Sequence, residues 1–235
     1  MIRYFPALLC ATLSIPSTAA AFEVTGGQLT FGTSAFTDDT SFNRIGVEGA
    51  VEFAFNKSFG MQAELGYNKG NESGYDSVNV GLHLLYHLDD NNSFGAFVVN
   101  EAAEGEDLQL YGVEFGIEAN AIDYEGYYAK VETDIGSTDM FGFAVNYEFS
   151  NGLGLTGSYD NIGDSGIEAS RLALKLDRDV TDSLNLYVEA GKGKIDVFGA
   201  DVSDPFIGLG GTVTFGAERG TTFDIRGIAR KLPGL

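Results

Sequence analysis

The chain has 235 residues, with 34 acidic against 14 basic side chains, a formal net charge of −20 and one cysteine. Negative charge on this scale argues against nucleic acid or an anionic membrane surface as a partner. A lone cysteine excludes a disulfide framework, and the lack of any run of about 18 apolar residues beyond the N-terminus excludes a spanning helix.

In chain order, residues 1–21 read as an export signal. Arg3 supplies the positive start, and Phe5 to Ile15 an apolar run too short to cross a bilayer comfortably. Ser17 to Ala21 offer the small residues of a cleavage site, most simply after Ala21. Cys10 falls within the apolar run and leaves with it. Cleavage would leave about 214 residues, the size of one all-β domain, with a charge of about −21 and no thiol.

From there hydrophobicity alternates with a period of two, the mark of strands with one oily and one polar face. Leu29, Phe31 and Thr33 open the pattern in a first strand from about Val24 to Ala35. The stretch Arg44 to Asn68 carries the next two strands. Ile45, Val47, Val51, Phe53, Phe59, Met61 and Leu65 share one face, and Arg44, Glu48, Glu52, Gln62 and Glu64 the other. A fourth strand sets Val78, Val80, Leu82, Leu84 and Tyr86 opposite Asn79, Gly81, His83 and His87. The fifth, Phe94 to Asn100, is short and apolar on both faces, so its parity stays open. The sixth and seventh alternate Tyr111, Val113, Phe115, Ile117 with Glu114, Glu118, then Ile122, Tyr124, Tyr128 with Asp123, Glu125, Tyr127. The eighth and ninth carry Phe141, Phe143, Val145, Tyr147 against Gly142, Asn146, Glu148, then Leu153, Leu155, Tyr159 against Gly154, Thr156, Ser158. The last three set Leu172, Leu174, Leu176 against Arg171, Lys175; Leu186, Val188 against Tyr187, Glu189; and Ile207, Leu209, Val213, Phe215 against Gly208, Gly210, Thr212.

Asn56 to Ser58, Asp89 to Asn92, Asn120-Ala121 and Asn151-Gly152 have the composition of tight turns, and Asp177 to Ser183 is slightly longer. Longer polar links alternate with them: Phe36 to Asn43, Lys69 to Asp76, Glu101 to Asp107, Thr133 to Asp139, Asn161 to Glu168 and Lys192 to Pro205. Short turns at one end and long links at the other are the signature of an up-and-down transmembrane barrel. Twelve strands place both termini at the short-turn end, and residues 217–235 are expected as a periplasmic tail, with a thirteenth strand through Phe223 and Ile225 as the other reading.

Period two does not say which face points inward. Large apolar sets opposite Gly, Ala and charge, a bore too wide for one layer of Val and Leu to fill, and aromatics beside the short turns (Phe53, Phe55, Phe59, Tyr86, Phe94, Tyr147, Phe149, Phe215) point to an oily face on lipid and a polar face on the lumen. β-Propensity alone would also account for the aromatics. With the exported N-terminus, the expected class is all-β, an antiparallel transmembrane barrel in residues 22–216. On this architecture, residues 24–216 resemble a small Gram-negative outer-membrane porin of the Gly- and acid-rich alphaproteobacterial kind. The stretch Gly216 to Asp224, Gly-x-x-x-Gly-Thr-Thr-Phe-Asp, is similar to endings of that group. The chain departs from general porins, which have sixteen strands and end on an aromatic residue, whereas this one ends Pro233-Gly234-Leu235. The resemblance implies passive diffusion of small hydrophilic solutes or ions, contact with outer-membrane lipid, passage through the barrel insertion machinery, and a homotrimer built on the wall of the first, second and last strands.

The polar face then lines the pore with Glu48, Glu52, Glu64, Glu114, Glu118, Glu125, Glu148 and Glu189, against Arg44, Arg171 and Lys175. Carboxylate rings favour cations, so modest cation selectivity is expected, unless Glu–Arg pairs brace the lumen shut. Inward glycines such as Gly81, Gly112 and Gly142 read as open space. The resemblance implies that the third long link, with Glu101, Glu104, Glu106 and Asp107, is the candidate constriction loop, with Arg171 and Lys175 standing roughly across the barrel from Arg44. His83 and His87 share the lumen face about 13 Å apart along a strand, too far for one metal ion, and read as neutral lining. No metal or other cofactor is expected; the acidic links match no EF-hand and read as a hydrated rim. A non-conducting structural or adhesin barrel is the alternative. An outer-membrane phospholipase is the weaker one, because such enzymes carry Ser and His on the lipid face and both histidines here have lumen parity.

Overall fold

The computed structural model describes residues 23–71, 76–103, 106–134, 136–163, 167–197, 200–216 and 220–231. The signal segment, Cys10 and Glu104 lie outside the described residues. Twelve antiparallel strands close into one barrel, each pairing with its sequence neighbours and the last pairing with the first. They are β1 (Glu23–Phe36), β2 (Asn43–Ala54), β3 (Phe59–Gly70), β4 (Asp76–His87), β5 (Asn92–Ala103), β6 (Glu106–Ala119), β7 (Ile122–Thr133), β8 (Gly136–Glu148), β9 (Leu153–Gly163), β10 (Ile167–Thr181), β11 (Leu184–Val197) and β12 (Ala200–Gly216). A four-residue helix, α1 (Ile228–Lys231), follows. Closure is made by Gly26↔Gly216 through Phe36↔Phe206, which leaves no unpaired sheet edge.

Alternation dictates the rest. Leu84 is 64% exposed, Leu174 61% and Val113 59%, whereas Gln62, Asn68, Asn79 and His83 are fully buried. A protein folded in water would expose the second set and bury the first. The barrel is inverted, and its apolar belt is the surface a bilayer would cover. The described residues contain no helix long and apolar enough to span a membrane, so strands alone make the crossing. Aromatics ring the belt beside the short turns, with Phe59 and Tyr86 5.2 Å apart and Tyr147 and Phe149 4.7 Å apart between ring centres. Tyr67, Tyr111, Tyr128, Phe141 and Tyr159, also exposed on the outer face, stand nearer the other end.

The short turns form as their composition demands. Asp89 accepts hydrogen bonds from the Asn91 amide (2.9 Å) and the Asn92 side chain (2.8 Å), which hold its carboxyl below the usual aspartate range. Asn56 closes its turn by accepting from the Ser58 and Phe59 amides. Asn120 takes a left-handed φ of 60°, which asparagine tolerates.

The long links need correction. β5 and β6 are separated only by residues 104 and 105, and β11 and β12 only by 198 and 199. Polar residues read as loop instead extend the ladders, since a strand above the apolar belt can carry charge on both faces. Lys130 and Glu132 stand on the outer face there, pairing with Asp139 (2.9 Å) and with the Tyr111 hydroxyl (2.9 Å). β5, whose parity the sequence left open, turns Phe97, Val99 and Glu101 inward and Phe94 and Val98 outward.

Candidate functional site

The lumen wall divides into two halves of different chemistry. From β2 to β7 it carries Glu48, Glu52, Gln62, Glu64, Asn68, Asn79, His83, Glu101, Glu114 and Glu125, of which all but Glu125 are buried. From β8 round to β1 it carries smaller groups, among them Ser34, Thr30, Ser158 and Thr212, with Arg171, Lys175, Tyr187 and Glu189. Each side chain is placed by the same parity that turns its neighbours out to the belt.

His83 lies at the centre of the acidic half. Its Nδ1 is 2.6 Å from Glu114 and its Nε2 2.9 Å from Glu64, with all three side chains fully buried. These two contacts make His83 of β4 a brace between β3 and β6. His87 meets the hydroxyl of Ser93 at 2.9 Å. This Ser–His contact faces the lumen at the short-turn end, and no carboxylate among the described hydrogen bonds orients the ring.

The C-terminal segment fills the acidic half. Sequence reading left residues 217–235 hanging below the barrel, yet residues 220–231 run up inside it. Gly216, which ends β12, and Gly220, at the start of the described C-terminal segment, take φ of +78° and +84°, values open to glycine. The segment then climbs the acidic wall, its amides meeting carboxylates and amides in succession. Glu52 accepts from the Thr222 amide (2.7 Å), and Gln62 brackets Phe223 by accepting from its N–H (3.3 Å) and donating to its C=O (3.0 Å). Glu125 accepts from the Asp224 amide (3.1 Å), and both oxygens of Glu64 from the Arg226 amide. Glu101 accepts from the Ile228 and Ala229 amides at 2.6 and 3.1 Å, so the first turn of α1 is capped by the barrel wall.

Side chains complete the seat. The Arg226 guanidinium reaches Glu114 (2.9 and 2.8 Å) and Glu125 (2.5 Å) and lies 4.5 Å over the ring of Tyr127 and 5.8 Å from that of Phe97. Arg230 pairs with Glu48 (3.2 Å) and Asp224 (2.8 Å), and Lys231 with Asp160 (3.5 Å). Phe223, Ile225 and Ile228 are buried, Ile228 in one cluster with Phe97, Val99, Leu110, Tyr127, Ala129, Val131 and Met140. That cluster explains why β5 is apolar on both faces.

The remaining candidate positions are distributed as follows. Arg44 donates to Asn68. Arg171 bridges Asp160 (3.4 Å) and Glu189 and stacks over Phe206 at 5.2 Å. Lys175 sits 5.8 Å over the ring of Tyr187. Glu118 stands on inner-face parity opposite Asp123, and Glu148 is exposed at the short-turn rim. Glu106 and Asp107 are exposed residues of β6 rather than of an inward-folded loop, and Glu101, within β5, holds the tail instead. β10 and β2 are separated by β11, β12 and β1, about a third of the circumference rather than a diameter. The inward glycines accommodate packing more than open space: a Cβ on Gly81 would lie 2.6 Å from Glu64, and one on Gly95 2.8 Å from Phe223.

Between the tail and the β8–β1 wall lies a crevice of about 150 Å³, lined by Arg44, Arg171, Lys175, Arg226, Arg230 and Lys231 with Glu125, Asp160, Glu189 and Asp224. Sequence reading found the wall residues from their parity. It missed the tail because one amphipathic turn of Ile, Ala, Arg and Lys gives no period long enough to read. The signal available was charge: Arg226, Arg230 and Lys231 follow a barrel otherwise crowded with acid.

No family model matches the chain, and no curated protein does. Solved structures do. The chain is similar to the KdgM porin (TM-score 0.60, 10% identity, covering 80% of this chain and 99% of that one) and the NanC porin (0.59, 12%, 80% and 98%). It is also similar to an outer-membrane channel from Pseudomonas putida F1 (0.61, 10%, 86% and 99%). At these identities the likeness is one of fold: the chain shares the barrel architecture of these proteins.

Proposed function

We propose that the protein is an outer-membrane porin that lets small hydrophilic solutes or ions diffuse passively, and that its bare lumen prefers cations. The observation that carries this reading is the inversion of the barrel. A closed wall that is apolar outside and lined inside by buried carboxylates, Gln, Asn and His is built to hold polar contents in its interior, which supports a water-filled path once the C-terminal segment is displaced. The likeness in fold to porins and a channel supports the same reading.

Selectivity follows from which charges the tail leaves free. Glu48, Glu114 and Glu125 are neutralised by Arg226 and Arg230 while the segment is seated. Without it they face water together with Glu52, Glu64 and Glu101, and Arg44, Arg171 and Lys175 do not balance them. Cation preference therefore belongs to the barrel with its tail displaced. Reversal potentials across a planar bilayer under a potassium chloride gradient test this on a chain ending at residue 216. The expected sign is that of cation preference, and anion preference would refute it. A homotrimer on the β12–β1–β2 wall and delivery by the barrel insertion machinery belong to the same proposal. The phospholipase alternative is weakened by the lumen position of His87 and Ser93, away from the lipid its substrate would occupy.

A further inference from the structure

We infer that the C-terminal segment is a tethered plug, and that its anchor occupies a guanidinium-binding site built by the barrel, which takes guanidinium-bearing solutes when the segment leaves. The inference rests on the porin reading and extends it by naming a site and a class of ligand.

Two of the three groups of the site, Glu114 and Tyr127, are fixed independently of the tail. Glu114 is fixed on its far side by His83, which is itself fixed by Glu64, and Tyr127 is fixed by donating its hydroxyl to Asp160 at 2.8 Å. These contacts run strand to strand and need nothing from residues 220–231. They present one carboxylate oxygen of Glu114 and the face of Tyr127 to a common point, which the carboxylate of Glu125 on β7 also reaches; Glu125 itself bonds Asp224 and Arg226 of the tail. Two carboxylates in reach of one planar, five-donor cation, with an aromatic ring centre 4.5 Å away, match guanidinium better than ammonium. Arg226 fills that point now, through Nε and Nη2.

The rest of the segment has the properties of a removable occupant rather than a wall. Beside the buried Phe223, Ile225, Ile228 and Ala229 it is held by hydrogen bonds and ion pairs to side chains, not by strand pairing. Water and solute can replace such contacts one at a time. A solute that competes for the Arg226 site removes the best-paired of them.

The experiment compares planar-bilayer currents of the full-length barrel, of a chain ending at residue 216, and of a reversible lock, Asn79→Cys with Gly227→Cys. In the lock, a Cβ at 227 lies 3.1 Å from the Asn79 side chain. Agmatine, which carries a guanidinium, is the probe, with 1,4-diaminobutane as the ammonium control. The truncated barrel is expected to conduct several-fold more than the full chain and to be blocked by agmatine in preference to the diamine. Glu114→Gln in the truncated barrel should weaken that block about tenfold or more, as expected when a charge-assisted pair becomes a neutral contact. The oxidised lock should conduct poorly and resist agmatine until reduced. Equal currents with and without the tail would overturn the plug, and so would a lock indifferent to reduction, which decides the matter if the truncated chain does not fold. Agmatine block absent, or unchanged by Glu114→Gln, would overturn the site while leaving the porin reading intact. Silence from every form would refute the porin reading and the plug together.

Discussion

At the scale of single residues, parity decides everything. Leu82 and His83 are neighbours in β4, yet one is 46% exposed on the outer belt and the other fully buried in an acidic brace. Leu82 lies near mid-height of the belt, so Leu82→Arg should destabilise the folded barrel by about 2–4 kcal/mol in a bilayer. Leu82→Val should be close to neutral. Urea titration of the barrel in lipid vesicles, followed by tyrosine fluorescence, measures both; an arginine tolerated without loss would mean that this face does not meet lipid. Which side chains turn inward was legible from alternation on strands such as β2, β3 and β4, but not on β5, whose Phe97, Val99 and Glu101 line the lumen. What the inward side chains do there was not legible, because Gln62, Glu64 and Glu101 meet partners about 130 to 160 residues away in sequence, and no local pattern records such contacts.

Among the elements, the strands were legible and their ends were not. Val, Leu and Phe on alternate positions mark a strand only where it crosses the apolar belt. Beyond the belt both faces are polar, and β7 with β8 or β11 with β12 reads as loop although the backbone ladder continues. The C-terminal segment was misplaced for a related reason: its apolar residues, Phe223, Ile225 and Ile228, are too few to show a face, and its seat exists only once twelve strands have closed. Phe223 is 1% exposed and sits beside Gly95 and Gly116. Phe223→Ala should cost about 3 kcal/mol of docking energy, which corresponds to a rise of about a hundredfold in the fraction of molecules with the segment released. The rate at which a protease clips the segment from the intact barrel under native conditions reports that fraction. An unchanged clipping rate would show that Phe223 contributes nothing to holding it.

For the whole molecule, closure and inversion together define the protein. Closure removes every sheet edge, so the backbone is satisfied within the belt without a helix. Inversion places the apolar surface outside, where lipid rather than a protein core covers it, and leaves an interior that charge and a returning chain end must fill. The division of that interior into an acidic wall under the tail and a more cationic crevice beside it follows from which strands carry Glu and which carry Arg and Lys. The most direct test of this account is lipid contact measured position by position. Single cysteines at Leu82 and Ser158, labelled with an environment-sensitive fluorophore in barrels reconstituted into bilayers containing brominated acyl chains, report which face meets lipid. Strong quenching at 82 and none at 158 is the result expected; quenching at 158 with none at 82 would turn the barrel inside out and contradict the account.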